Sequence, residues 1–484
     1  MATIDEIKRA RLKKLKGIES AGLLAYPGES KRTHTCQEAL DQFSKLKRVI
    51  VLNGRIVSLR QHGGLVFANI QDGFGLIQIL FKKDSLGERG YKFFLDHFDI
   101  GDFVEVKGTL FKTKRGEKTL EVADYKMLSK SLLPLPEKWH GLKDIEERYR
   151  KRYLDLLFNN EVKEKFIIRS KIVKELRNFL EDKGFLEVET PILQPVYGGA
   201  TAKPFKTKLN ALNLDLYLRI SPELYLKRLL VGGFEKVYEI GRCFRNEGID
   251  KAHNPDFTML EYYSAYDNYK DLMKMDEEMF SVLLKNLFNK KEIEYEGKKL
   301  SFKTPFKRIE FKELFRKYTK INIDDAHKNI LEKKAKQLGI KIKGGKFEIA
   351  DEIFKKVIRP KIEQPTFVIH YPVEAFPLAK PLDKDPSKSA SYQLIIMGME
   401  IIKAYNELNN PILQEENFSS QEKIFKKGFE EAQRMDKDFI EALKYGMPPA
   451  AGWGMGIDRL TILLTNSHSL REAILFPTMK HVRH

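Results

Sequence analysis

Cysteine is nearly absent. Cys36 and Cys243 are the two in 484 residues, far apart and in no CxxC pair. That excludes a disulfide framework or a cysteine zinc site and points to a reducing compartment. Long hydrophobic runs are missing too. No stretch reaches the ~20 apolar residues a membrane-spanning helix needs, so no membrane partner is expected. The N-terminal segment has no hydrophobic signal core, and Asp5 and Glu6 argue against an acid-poor transit peptide, so the expectation is a cytoplasmic protein. Two phosphate-binding signatures are lacking: no GxGxxG follows a strand pattern, and there is no GxxxxGKS or GxxxxGKT. Acidic residues are in deficit, 68 Asp and Glu against 86 Lys and Arg, which gives a formal net charge of +18. A cationic surface favours nucleic acid or an anionic membrane as partner, although a lysine-rich background gives the same balance. The length implies more than one domain.

Two stretches carry chemistry. Val237–Tyr263, VYEIGRCFRNEGIDKAHNPDFTMLEYY, reads as two antiparallel strands joined by a polar loop. Its open face would carry Arg245, Glu247, Glu261 and Tyr263, with His253 and Phe257 on or beside the loop. Arginine grips phosphate with a planar fork, Phe offers a stacking plane, and a carboxylate accepts from an adenine amino group. An ordinary charged hairpin has the same pattern. In the second stretch, AGWGMGIDR at Ala451–Arg459, Gly452, Gly454 and Gly456 alternate before an apolar helical run. Glycine there lets a ligand approach the backbone, and Arg459 stands ready to meet an anion.

Along the chain, residues 1–48 read as a basic N-terminal helical extension, suited either to nucleic-acid phosphates or to simple packing. Residues 49–135 read as five short strands with a helix after the third, the pattern of an OB-fold barrel. Arg55, Phe67 and Gln78 are its nucleic-acid contacts by type, though an aromatic such as Phe67 is more often core. Residues 136–484 form the larger domain, in which FLEVETPIL reads as a strand ending at Pro191 and the segment around 270–360 as a helical insertion.

FRNE with a downstream His and Phe, and GWGMGIDR near the C-terminus, resemble motifs 2 and 3 of class II aminoacyl-tRNA synthetases. With HGLKDIEERYRKRYLDL, GGFEKVYEIGRCFRNE, ELN and TNSHSLREAILFP, the chain resembles class II lysyl-tRNA synthetases over nearly its full length. The resemblance implies an α+β protein: an N-terminal OB-fold anticodon-binding barrel and a catalytic domain with a mostly antiparallel sheet flanked by helices. It also implies a homodimer using ATP, L-lysine, tRNA(Lys) and Mg2+. By that resemblance Gly199, Glu223 and Glu261 receive the α-amine, and Glu407 and Tyr263 hold the ε-ammonium. Arg245 bridges the α-phosphate and the substrate carboxylate, Glu247 meets the adenine edge, and Phe257 stacks on the ring. His253 and Arg459 hold the γ-phosphate, and Arg245 and Arg459 are the catalytic pair. Glu400 is the metal ligand, with Glu407 and Gln393 as subsidiary candidates.

Two positions depart from the family pattern. Gln393 stands where a second metal carboxylate is usual, and Lys403 where Asn is usual. Lys403 either supplies positive charge near the substrate carboxylate or phosphates, or crowds the amino-acid pocket. Competing readings are an aspartate or asparagine enzyme, and a weak or repurposed paralogue that binds nucleic acid or activates a lysine analogue.

Overall fold

The computed structural model describes residues 3–136, 144–251, 253–341, 344–426 and 431–480. Alternating apolar residues build the first unit, Met1–Gly141. Strands β1 (Ile50–His62), β2 (Leu65–Gln71), β3 (Leu76–Lys82), β4 (Phe103–Lys112) and β5 (Lys118–Ser129) close into a barrel in the order β1-β2-β3-β5-β4. Ile50, Leu52 and Ile56, then Val66, Ala68 and Ile70, then Ile77, Ile79 and Phe81 point inward and are buried. The helix Lys83–His97 follows β3, and its Phe94 stacks on Phe81 at 3.8 Å, filling the core with aromatic surface. The N-terminal helix Ile4–Ser20 begins with a Thr3–Glu6 capping box. It buries Ile18, and Arg11 donates to the carbonyls of Ile100, Ser131 and Leu133. This helix packs on the barrel; Lys8, Arg9, Lys13 and Lys16 stay exposed.

The second unit, Leu142–His484, is built on one eight-stranded sheet. Its strand order is Lys307–Glu310, Thr366–Ile369, Ser391–Ile396, Met399–Asn406, Ala450–Gly456, Asp256–Ala265, Lys236–Phe244, Leu186–Glu187. Only the two outermost pairs are parallel. Behind one face lie the helices Asn160–Asp182, Tyr269–Phe288 and Ile457–Leu464, packing Leu176, Phe280 and Leu460 against Tyr262, Ile402 and Trp453. Asp276 on the second of these helices accepts from Tyr392 Oη and Trp453 Nε1, each at 2.7 Å, so its buried carboxylate is satisfied. The other face carries Val237, Tyr263, Val368 and Tyr405, partly covered by helices that include Phe311–Thr319 and Lys437–Lys444.

Two sequence expectations need correcting. The segment around 270–360 is more than a helical insertion: it supplies a core helix, the edge strand Lys307–Glu310 and a hairpin, Glu292–Tyr295 with Lys298–Ser301. Its lysines mask an apolar stripe that includes Leu272, Phe280 and Leu284. FLEVETPIL is not one strand either. Pairing occurs only at Leu186–Glu187 and Leu193–Gln194, because Glu239 captures the Thr190 N–H and hydroxyl and Pro191 has no N–H to offer.

Candidate active site

Register assembles the open face of the sheet. Directly opposed residues share a face, so Tyr263, Gly452 and Tyr405 form one row across three strands, and Glu261, Gly454 and Lys403 form the next. The two glycines are the floor. A Cβ on Gly452 would lie 2.0 Å from Glu407 Oε1 and 2.4 Å from the Tyr263 ring, so only glycine fits beneath this carboxylate. Glu400 reaches the same face through an irregularity. Leu394 opposes Ile402 and Ile395 opposes Glu400, so Ile401 is an extra residue that shifts the parity of the strand.

At one end of this face is an acidic slot. Glu223 opens the helix Glu223–Val231, and Gly199, at φ +85, lies against it: an added Cβ would sit 2.9 Å from Glu223 Cβ and 2.8 Å from Ser221 Oγ. Glu261 accepts from Ser221 Oγ at 2.7 Å and Tyr263 Oη at 3.1 Å. Glu407 is 1% exposed. Its Oε2 pairs with Lys227, and its Oε1 has no hydrogen-bond partner among the described residues. Burial, reinforced by the charge of Glu223, pushes the Glu261 carboxyl up to about 8. Burial likewise pushes Glu407 to about 8, against the pull of Lys227. The slot is therefore short of positive charge.

At the other end cations gather. The Arg245 guanidinium lies 5.0 Å over the Phe257 ring, with its Nε buried and unpartnered among the described residues. Arg459 Nη1 donates to the Glu400 carbonyl at 3.0 Å, and its Nη2 approaches His253 Nε2 at 3.4 Å. Asp250 accepts from or orients the other His253 nitrogen. Glu247 is exposed where the hairpin loop opens. Burial works to raise the Glu400 carboxyl, but Arg459, Arg359, Lys403 and Lys355 outweigh it and hold the group below its usual range. Lys403 lies over the Phe376 ring at 4.0 Å, and its burial lowers its affinity for the proton. The ammonium paired with Glu407 is that of Lys227, while Lys403 feels the charges of Glu400 and Glu223 without an ion pair to either within the described residues.

This donor set does not build a cage for a divalent cation. Among the described residues no cluster of three metal-ligating side chains occurs. Glu400 sits among cations, the nearby Asp351 is paired with Lys355 at 2.6 Å, and the Gln393 amide oxygen already accepts from Tyr371 Oη at 2.7 Å. Glu407 cannot share an ion with Glu400, since seven residues of extended strand separate them by roughly 20 Å, and its charge faces Lys227.

On the barrel, Phe67 and Gln78 lie on the outer surface of β2 and β3, between buried inward residues. Gln78 Oε1 accepts from Thr119 at 2.8 Å. Arg55 is not beside Phe67. It opposes Gln71, roughly 13 Å along the strand from Phe67 by strand rise, donates to the Gly101 carbonyl and stacks 4.2 Å over Phe103. The basic residue opposite Phe67 is the exposed Arg60, which the sequence reasoning missed.

Residues 144–480 match the family model described as tRNA synthetases class II (D, K and N), and residues 50–128 match the OB-fold nucleic acid binding domain. The chain belongs to the class II tRNA synthetases. A lysine–tRNA ligase of Pelotomaculum thermopropionicum is 50% identical to this synthetase, with 99% of this chain and 95% of the relative covered. One of Carboxydothermus hydrogenoformans is 48% identical, covering 99% and 98%. One of Aquifex aeolicus is 50% identical, covering 90% and 73%. The synthetase motifs explain the hairpin and the glycine strand. They did not reveal Lys227, Ser221 or Tyr405, which complete the slot. Lys227 was detectable as the i+4 partner of Glu223 in SPELYLK.

Proposed function

We propose that this synthetase activates L-lysine with ATP and attaches it to tRNA(Lys). The observation that carries the reading is the buried acidic slot of Glu223, Glu261 and Glu407, in which Glu407 Oε1 has no hydrogen-bond partner among the described residues. A carboxylate so buried is costly unless a cation meets it. Aspartate would add a negative charge, and asparagine would leave the charge unmet. Glu223, Glu261 and the backbone at Gly199 receive the α-ammonium, and Glu407 with Tyr263 receives the ε-ammonium. Arg245 grips the α-phosphate and the substrate carboxylate, Phe257 stacks on adenine, Glu247 meets its edge, and His253 and Arg459 meet the γ-phosphate.

The lysine carboxylate attacks the α-phosphorus in line, forming lysyl-adenylate and releasing pyrophosphate. The nucleophile is already ionised, so positioning and charge neutralisation do the work. A terminal hydroxyl of tRNA then attacks the carbonyl, and AMP leaves. Phe67 and Gln78 on the barrel offer stacking and polar contacts to unpaired anticodon bases. Magnesium enters as the counter-ion that ATP carries in solution. Exposed Leu186, Ile192, Leu193, Leu212 and Leu214 support a homodimer. No helix of the described residues is long and apolar enough to cross a membrane. Charging of tRNA transcripts tests the proposal: tRNA(Lys) accepts lysine, and failure to charge it, or equal charging of tRNA(Asp) with aspartate, refutes it.

A further inference from the structure

The acidic slot already holds an ammonium of the protein's own. Lys227 Nζ is fully buried, 2.6 Å from Glu223 Oε1 and paired with Glu407 Oε2. The rings of Tyr405 and Phe439 lie 5.7 and 5.9 Å from it, and Tyr405 Oη donates to Glu223 Oε1 at 2.7 Å. Burial alone would favour the neutral amine, but the two carboxylates outweigh burial and hold the group charged. Glu407 Oε1 is left in the gap above Gly452. When Glu223, Glu261 and Glu407 are all ionised, the one ammonium in direct contact with them leaves two negative charges without an ion pair, Lys403 and Arg245 acting on Glu223 and Glu261 only from a distance. The α- and ε-ammonium groups of a diamino acid supply two.

We infer that Lys227 is a positioning and specificity-determining residue: it draws Glu223 and Glu407 to one ammonium, leaves Glu407 Oε1 for the substrate, and limits the unmet charge to what one diamino acid brings. This rests on the lysine-activating reading. A plain structural strap between helix and sheet is the alternative, and it makes a different prediction.

Lys227→Met keeps the bulk and removes the charge. In ATP–pyrophosphate exchange its lysine KM rises more than about 30-fold, as for buried charges left unpaired, while its ATP KM stays within about threefold. Lys227→Ala opens room for ethylammonium, whose addition lowers the lysine KM again by about tenfold through occupancy of the vacated position. Equal increases in both KM values with no amine rescue overturn the inference. If the methionine and alanine variants do not fold, Lys227→Arg carries the test. The longer fork keeps the charge but displaces Glu407, so the lysine KM rises and the ATP KM does not; an unchanged lysine KM overturns the inference. A wild-type enzyme that exchanges pyrophosphate with some other amino acid and not with lysine overturns the functional reading itself, before any variant is made.

Discussion

Replacing Glu407 by glutamine probes the acidic slot at its deepest point. The residue is 1% exposed, Lys227 meets one of its oxygens, and the other fills the space above Gly452 with no hydrogen-bond partner among the described residues. Glutamine keeps the shape and an acceptor but removes the charge that an incoming ε-ammonium would meet in a site shielded from water. Breaking a buried ion pair costs about 3–5 kcal/mol, so kcat/KM for lysine should fall roughly 10²–10⁴-fold at 1.4 kcal/mol per decade. In the proposed arrangement ATP is gripped elsewhere, by Arg245 and Arg459, so its KM should change by less than about threefold. ATP–pyrophosphate exchange, with each substrate varied at saturation of the other, separates the two. Equal losses for lysine and ATP, or a lysine loss below about tenfold, would refute the assignment of Glu407 to the ε-ammonium.

Glu261→Gln should raise the melting temperature with a particular pH dependence. The folded carboxyl, pushed up to about 8, lies above its unfolded value, so its ionisation penalises the wild-type fold from about pH 4.5 upward and fully above pH 8. The stabilisation is absent near pH 4, grows to a few kcal/mol at most by pH 8 at about 1.4 kcal/mol per unit, and is accompanied by loss of lysine activation; a gain largest in acid would contradict it. Lys403→Asn removes one cation beside Glu400. Half-saturating magnesium should rise about fivefold, the effect of roughly 1 kcal/mol from one screened charge, and an unchanged titration dismisses the role. Phe67→Ala should raise the KM for tRNA about 5- to 100-fold, the range of one lost base stack. It should leave pyrophosphate exchange, which needs no tRNA, untouched, and a defect in exchange would move Phe67 from recognition to stability.

Where side-chain period matched the final environment, the sequence was legible. The barrel strands alternate cleanly, and the hairpin pairs Val237 with Tyr263 and Glu239 with Glu261 because its polar loop leaves one register open. The glycines of Gly452–Gly456 read as a surface kept clear for a ligand; at Gly452 the space a Cβ would need is taken by Glu407 and Tyr263 of the protein itself. Other features depended on tertiary contacts that periodicity does not report. The periodicity of its helix does not report that the fold sets Lys227 between two carboxylates. Ile401 could not be recognised as an extra residue without its partner strand, yet it brings Glu400 to the face of Lys403. The lysines of 270–360 hid a core helix, and Arg60 replaced Arg55 beside Phe67 because pairing, not proximity in sequence, decides neighbours on a barrel.

The proposed function rests on a slot that demands two ammonium groups. Its most direct measurement is ATP–pyrophosphate exchange by the unmodified enzyme with lysine, norleucine, aspartate and asparagine in parallel. Lysine should support exchange, and norleucine, which lacks only the ε-ammonium, should fall below it by at least about 10³-fold. Exchange with aspartate, asparagine or norleucine comparable to that with lysine would contradict the account.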